Sequence, residues 1–475
     1  MHPYLHKIAT GLLSIAFSLT LHTAFGQVEW QQLYGGKTDE TCTSLLPQAD
    51  GGYLLIGTDR QKGQKLYLIR TDARGRQLWN KHILPAGLPS FAPLYTFQDA
   101  DGNALIACSD GGLTQRGNYY VTKVDQLGNV ADTWQINLGS SKRSLGGLTR
   151  RPDGGFVAAA VDYSVSGGQS ILFYLDANGR KQREEPLVIS ADRGGLVHNL
   201  LAVPGGFLAA VSIQRLGGGV GEFPTKLIFF SDQGERGAES ELPKYGYQER
   251  VQSVLSLGGN DYLVMGDQVN RITIGSPTPQ WTKVLSYSQQ WVHPQGAVPT
   301  PNGGFLFYGY STVSSHVIRL HLVQTDANGN LLDGLPAGQV TSAKMLASGL
   351  SGGLAGLYAV PGTDTYVVAG YRQGQGDEDI FLSSGSFGQL KVATTTIMQA
   401  WPNPVSDTDL LNVSSMVALG DALELYNLQG KLVHAWPRTG SGDAQLSLQN
   451  VPPGIYMLVG INGSGKRSSI RINKR

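Results

Sequence analysis

Cysteine is almost missing from this sequence. The two present, Cys42 and Cys108, exclude a disulfide framework and a cysteine-rich zinc site, and leave at most one bridge between them. Charge is also scarce, at 15% of residues, and it cancels: 37 basic against 36 acidic residues give +1. Without a strong field of one sign, no nucleic-acid partner is expected. No apolar run after the first 26 residues approaches the ~18 residues of a membrane helix, so the mature chain is expected to have no transmembrane segment. Histidines His82, His198, His293, His316, His321 and His434 form no metal-ligand pair backed by carboxylates. His316 and His321, five apart on an expected strand, point to opposite faces. No Gly-x-Ser-x-Gly nucleophile turn stands out. Gly217–Gly221 lacks the helix that a phosphate loop needs, and Gly460–Arg467 carries Arg467 where a P-loop has Ser or Thr. The sequence thus offers no catalytic residues, no metal site and no cofactor site.

Glycine is what the chain has in abundance: 63 residues, with 22 prolines, in a sequence 41% hydrophobic. Frequent tight turns among evenly spread apolar runs predict an all-β protein, and 475 residues can bury one large core and a small one. Residues 1–26 read differently. Lys7, an apolar run from Ile8 to Leu21, and Ala24-Phe25-Gly26 before Gln27 make a secretory signal peptide, with an uncleaved anchor as the alternative. No cysteine follows the run, so lipid attachment is not expected.

From residue 28 onward one motif recurs: a tight turn running into an apolar strand. Its copies open at Asp50-Gly-Gly-Tyr53, Asp101-Gly-Asn-Ala104, Asp153-Gly-Gly-Phe156, Pro204-Gly-Gly-Phe207, Gly259-Asn-Asp-Tyr262, Asn302-Gly-Gly-Phe305 and Thr363-Asp-Thr-Tyr366. Seven units spaced by about fifty residues predict a seven-bladed β-propeller over 27–390. The strands behind the turns, such as Tyr53-Leu-Leu-Ile and Phe207-Leu-Ala-Ala, are continuously apolar, so they are expected to be covered on both faces. Four residues after each anchor come Gly57, Cys108, Ala160, Val211, Gly266, Gly309 and Gly370, read as a slot of small residues where sheets approach closely. Cys108 fits that slot as packing.

A second turn, Asp-x-x-Gly, follows the third strand, as at Asp72–Gly75, Asp125–Gly128, Asp176–Gly179 and Asp326–Gly329. Each turn offers too few oxygens for calcium, so these Asp residues read as local caps. Trp79, Trp134 and Trp281 mark fourth strands, and Trp30 stands at nearly the same interval before Tyr53. The segment around Trp30 is therefore a fourth strand with no blade before it, while the last unit, through Asp379–Leu382, lacks one. The N-terminal strand is expected to close the ring. Both Gly-containing turns fall on one rim. The opposite rim carries the variable loops after Arg60, Asp110, Gln214 and Tyr371, and any ligand is sought there.

After a linker, 391–397, the register changes at 398–475, where short alternating strands predict a small Ig-like β-sandwich. This segment resembles the type IX secretion system (type A) C-terminal sorting domain of Bacteroidota. The resemblance rests on Pro402, Asn403 and Pro404, the Leu-Tyr-Asn-x-x-Gly430-Lys431 hairpin, the Pro-Pro-Gly454-Ile-Tyr456 strand and the basic end Lys474-Arg475, with Trp401 where the family has Tyr or Phe. It implies passage through the periplasm, recognition by the type IX machinery, and display at the outer-membrane surface or release. The repeats resemble those of secreted Bacteroidota proteins carrying this tail. The expected function is that of an exported binding or scaffold module, with an extracellular glycan or protein as candidate partner. The alternative is a polysaccharide hydrolase or lyase working in the propeller channel.

Overall fold

The computed structural model describes residues 30–35, 38–60, 65–84, 92–111, 117–140, 143–164, 168–190, 193–215, 224–243, 251–287, 290–314, 317–332, 343–349, 352–373, 378–387, 398–401, 405–406, 410–415, 422–427, 431–437, 444–461 and 467–475. Among them there is no α-helix, and no helix long and apolar enough to cross a membrane.

Seven antiparallel sheets of four or five strands follow one another from residue 31 to residue 386, with a two-stranded sheet, Ser286–Tyr287 and Gln290–Trp291, between the fifth and the sixth. The first pairs Glu40–Pro47, Tyr53–Asp59, Lys65–Thr71 and Gln77–Ile83 in that order, and the next five repeat the plan. The fourth sheet adds a short strand, Val188–Ser190, beside its first strand. The seventh contains Gly352–Ala359, Thr365–Gln373 and Glu378–Ser386, and its fourth strand is the N-terminal Gln31–Tyr34, paired antiparallel from Gln31↔Ser383 to Tyr34↔Ile380.

The reason for the continuous apolar runs lies in the packing. Side chains alternate along a strand, so a run without polar interruptions serves both faces. Tyr53 and Leu55 join a core shared with Val367, Ala369 and Leu382 of the seventh sheet, whereas Leu54 and Ile56 join one shared with Ala104, Ile106 and Cys108 of the second. The same division holds at Phe207 and Ala209 against Leu208 and Ala210. Each sheet therefore shares one core with the sheet before it and another with the sheet after it, and the first and seventh share a core as any other pair does. A row with free ends would leave those two sheets each with a bare face. Here the contacts form a closed circuit.

The small-residue slot has a different cause from the one expected. Gly57 does not mark close approach between sheets. It lies opposite a β-bulge in the first strand of its own sheet: the register jumps between Cys42 and Ser44, and a Cβ on Gly57 would sit 1.7 Å from the Thr41 carbonyl oxygen. Bulges face Cys108, Ala160, Val211, Gly309 and Gly370 in the same way. Bulges bend a strand and add twist, and here each lies in the first strand of its sheet. Gly266 is the exception, lying just beyond the strand Asp261–Met265. Cys42 and Cys108 are both free and buried in different cores, and burial pushes the Cys42 thiol up to about 12.

The turns behave as caps. Asp50 Oδ1 accepts the Gly52 N–H at 3.0 Å, beside Gly51 at φ 82°, a value open chiefly to glycine. Asp72 Oδ1 accepts from Arg74 N and Arg76 N, both at 2.8 Å, and Asp125, Asp176 and Asp326 do the same in later sheets. Beyond residue 398, two sheets enclose one further core: Met398–Trp401, Leu410–Ser415 and Ala444–Ser447 in one, and Leu432–Pro437, Ala422–Asn427, Gly454–Ile461 and Arg467–Lys474 in the other. Residues 391–397 lie outside the described residues.

Candidate functional site

In the sheets that carry both, the two kinds of Gly-containing turn lie at the same end, because strands one and two, and three and four, are antiparallel neighbours. A cavity of about 430 Å³ opens at the other end, between the second and third sheets. Its wall is the start of strand Tyr119–Val124, the end of strand Val130–Ile136, the connection through Asn137–Ser140, and Arg143 at the start of the next strand. The floor is apolar: Tyr119, Ile136 and Leu138 are all buried in the core the two sheets share. The rim is amide-rich. Gln135 Nε2 donates to Asn118 Oδ1 at 3.2 Å, and Asn118 Nδ2 donates to Asp110 Oδ2 at 2.9 Å.

Arg143 supplies the charge, and it is held in place. Its Nε donates to Asp162 Oδ2 at 2.9 Å, its Nη1 donates to the Leu138 carbonyl at 2.8 Å, and the guanidinium lies over the Phe173 ring at 5.6 Å. Asp162 also accepts from the Ser164 hydroxyl and N–H. The Ser164 hydroxyl foremost, then Arg143, hold the Asp162 carboxyl at about 2, against the opposing effect of burial. Glu184 also lies 4.0 Å from Arg143 Nη1, so the guanidinium charge is fully countered. A pocket with an apolar floor, amide donors and acceptors, and a balanced, immobilised guanidinium suits an uncharged ligand rich in hydroxyl or amide groups. A second cavity, of about 500 Å³, lies between Lys226–Leu242 and Ser276–Pro279, where Lys226 pairs with Glu239 at 2.6 Å.

The joint of the first and seventh sheets is polar at this same end. Glu40 (3% exposed), Asp59 (0%) and Glu378 (7%) are buried there. His82 Nε2 reaches Asp59 Oδ2 at 3.0 Å and stacks on Tyr67 at 4.5 Å, Thr38 Oγ1 donates to both Glu40 and Asp59, and Arg60 pairs with Glu378 at 3.3 Å. The Glu378 N–H donates to Asp39 Oδ1 at 3.3 Å. These groups are engaged with each other and tie the chain's two ends together.

Hydroxyl–imidazole pairs occur in two sheets: His198 Nε2 lies 2.8 Å from Ser212 Oγ, and His321 Nε2 lies 2.7 Å from Ser311 Oγ. Ser311 and His321 are both fully buried, which keeps that pair from a substrate. Sequence inspection missed these pairs, as it missed Arg143 and Asp162, because the partners sit on neighbouring strands and only the pairing register brings them together. Of the loops named as the variable rim, 61–64, 112–116, 216–223 and 374–377 lie outside the described residues.

At the opposite end the tryptophans form latches. Trp30, Trp79, Trp134 and Trp281 each cover a turn glycine of the following sheet: Gly75, Gly128, Gly179 and Gly329. Trp30, next to the N-terminal strand, thus reaches the first sheet as the others reach their successors. Arg183 takes this place over Gly234, stacked on Tyr174 at 3.8 Å, and Ala238 faces Gly275.

In the C-terminal region, Tyr456 is 7% exposed, its hydroxyl donates to the Pro452 carbonyl at 2.7 Å, and its ring folds against Gly454. Asn427 N donates to the Lys431 carbonyl at 3.0 Å, and its side chain accepts the Lys431 N–H, closing the Leu-Tyr-Asn hairpin. Pro402, Asn403, Pro404 and Gly430 lie outside the described residues.

Residues 399–473 match the family described as secretion system C-terminal sorting domain. The match marks the chain for recognition by the type IX secretion machinery and for export to the cell surface or the extracellular space. No curated protein matches the sequence. Among solved structures, a puromycin hydrolase mutant complexed with PGG is 13% identical at a TM-score of 0.47, over 80% of this chain and 60% of the other. A puromycin-hydrolysing peptidase of Mycobacterium tuberculosis is 11% identical at 0.45, over 79% and 57%. A protein of unknown function from Dyadobacter fermentans is 11% identical at 0.40, over 75% and 97%. The chain thus spans less than two thirds of the length of these two hydrolytic proteins.

Proposed function

We propose that this is an exported binding module of Bacteroidota: a signal peptide over 1–26, a seven-bladed β-propeller over 27–390 closed by its N-terminal strand, a linker over 391–397, and an Ig-like sorting sandwich over 398–475. The route runs through the periplasm. The propeller acts without turnover, holding a neutral glycan, or a protein segment of similar chemistry, at the rim opposite the Asp-Gly turns. The observation that carries this reading is the cavity at Asn118, Gln135, Asn137 and Arg143, with its apolar floor and ion-paired guanidinium.

The alternative, a polysaccharide hydrolase or lyase, draws on a buried grouping of carboxylates with arginine and tyrosine, Asp59 and Glu378 with Arg60 and Tyr67. Their burial and mutual pairing support a structural role instead. The test is a glycan and peptide array probed with the purified chain. Binding is expected, with Arg143→Ala weakening it about tenfold or more, as for loss of a charged hydrogen-bond donor. Release of new reducing ends from a bound polysaccharide would replace this reading with the enzymatic one. Binding unchanged in Arg143→Ala would move the site elsewhere.

A further inference from the structure

The four edges of the two C-terminal sheets are not alike. Met398–Trp401 and Ala444–Ser447 are four residues each. Arg467–Lys474 carries the exposed Arg471, and its end is covered by a parallel bridge from Val405 to Lys474. Charged side chains and short length are the usual protections of a strand edge. Leu432–Pro437 has no charge and is longer, with only Pro437 at its end as a guard. It runs Leu-Val-His-Ala-Trp-Pro with no acidic, lysine or arginine residue, and it is six residues long. Among the described residues it pairs on one side only, with Ala422–Asn427.

Its exposure is unusual too. Leu432 is 47% exposed and Val433 36%, on opposite faces of the strand, and His434 and Ala435 are exposed as well. Only Trp436 packs against the core. Among the described residues, the strand's outer main-chain donors and acceptors therefore meet no neighbouring strand, and it carries apolar side chains on both faces. That is the chemistry that takes up one more strand.

We propose that Leu432–Pro437 is where the type IX secretion machinery grips this chain, by adding an extended, uncharged segment of its own to this edge as a fifth strand. The occupant follows from the match at 399–473: a sorting domain must present a surface that the machinery reads, and among the described residues this edge is the least protected. The inference rests on the reading of 398–475 as the export signal.

The test compares export of the full chain, a chain lacking 398–475, the variants Leu432→Glu/Val433→Glu and Val433→Lys, and the control Ser469→Glu on the guarded edge, in a host with the machinery. Both edge variants are expected to reach the surface about tenfold less and to accumulate inside the cell, while Ser469→Glu is exported normally. The purified variants should melt with the parent chain, because the altered side chains are exposed; loss of export with an unchanged melt supports the edge. Normal export of both edge variants, with the truncated chain retained, would overturn the edge and leave the sorting role standing. Export of the truncated chain would remove both. Dimers of the parent chain that the edge variants abolish, with export unchanged, would assign the edge to a second copy and overturn the proposal.

Discussion

The seven sheets before residue 387 and the two after 398 are built of the same material, short antiparallel strands, and bury it by opposite rules. In the ring, successive residues of one strand go to different cores: Leu54 and Ile56 to one joint, Tyr53 and Leu55 to the other. In the C-terminal region the buried apolar side chains among the described residues meet in a single core, where Leu423 and Leu425 join Leu411 and Val413 while Glu424 between them points away. The first arrangement yields continuous apolar runs and the second yields alternation. It also decides what happens at the edges. The ring spends its N-terminal strand to cover an end, whereas the small sandwich leaves Leu432–Pro437 open.

The contrast can be broken most severely at the closure. Deleting residues 30–35 strips the seventh sheet of its fourth strand and the shared core of Tyr34, which is 6% exposed, and of Trp30. A loss on the order of 5 kcal/mol and concentration-dependent association are expected, read from the urea midpoint and from gel filtration. An unchanged midpoint would show that the ring does not depend on its N-terminal strand. Next in size is Gly57→Ala. Its Cβ would press on the Thr41 backbone, which cannot swing aside, so about 3 kcal/mol is expected, against less than about 0.5 kcal/mol for Ser469→Ala on the exposed edge of the sandwich. Equal losses from the two would mean that the bulge relaxes freely.

Two latches sharpen the comparison inside the ring. Gly179 sits under Trp134, with a Cβ position 2.4 Å from the indole, and Gly275 meets only Ala238 at 3.6 Å. Both have positive φ, 72° and 87°. Gly275→Ala should cost about 1 kcal/mol for the backbone alone, and Gly179→Ala about 2 kcal/mol because the ring must move as well. Thermal melts of the two proteins decide whether the tryptophans add to the joint or merely lie on it.

The cavity wall is tested by pH. The Asp162 carboxyl is lowered in the fold from 3.8 to about 2, so its contribution is present above the ordinary value and is lost as pH falls through the lowered one. Between pH 4 and pH 2 the parent chain should lose at most about 2 kcal/mol more than Asp162→Asn, measured as urea midpoints across that window. Parallel curves would show that the Arg143–Asp162 pair contributes nothing to folding.

Much of this organisation was legible beforehand because it is local. The Asp-Gly turns announce themselves by a carboxylate two residues before the N–H it caps, and the phase of Trp30 showed which strand it resembles. The slot was legible as a position and misread as to cause, since its neighbour is a bulge in the facing strand. The sorting segment was legible because its motif is contiguous, although its most exposed strand drew no notice.

By itself, then, the sequence determined the repeat, the turn chemistry, the double-sided strands and the change of register near residue 398, all of which depend on residues a few positions apart. The tertiary structure alone decided what depends on register and on the joining of distant chain. It set Arg143 against Asp162 across two strands, brought Glu378 to Arg60 and Asp39, and laid Trp30 over Gly75. Side-chain alternation tells which face a residue takes, but only the pairing of strands and sheets supplies the partner on that face.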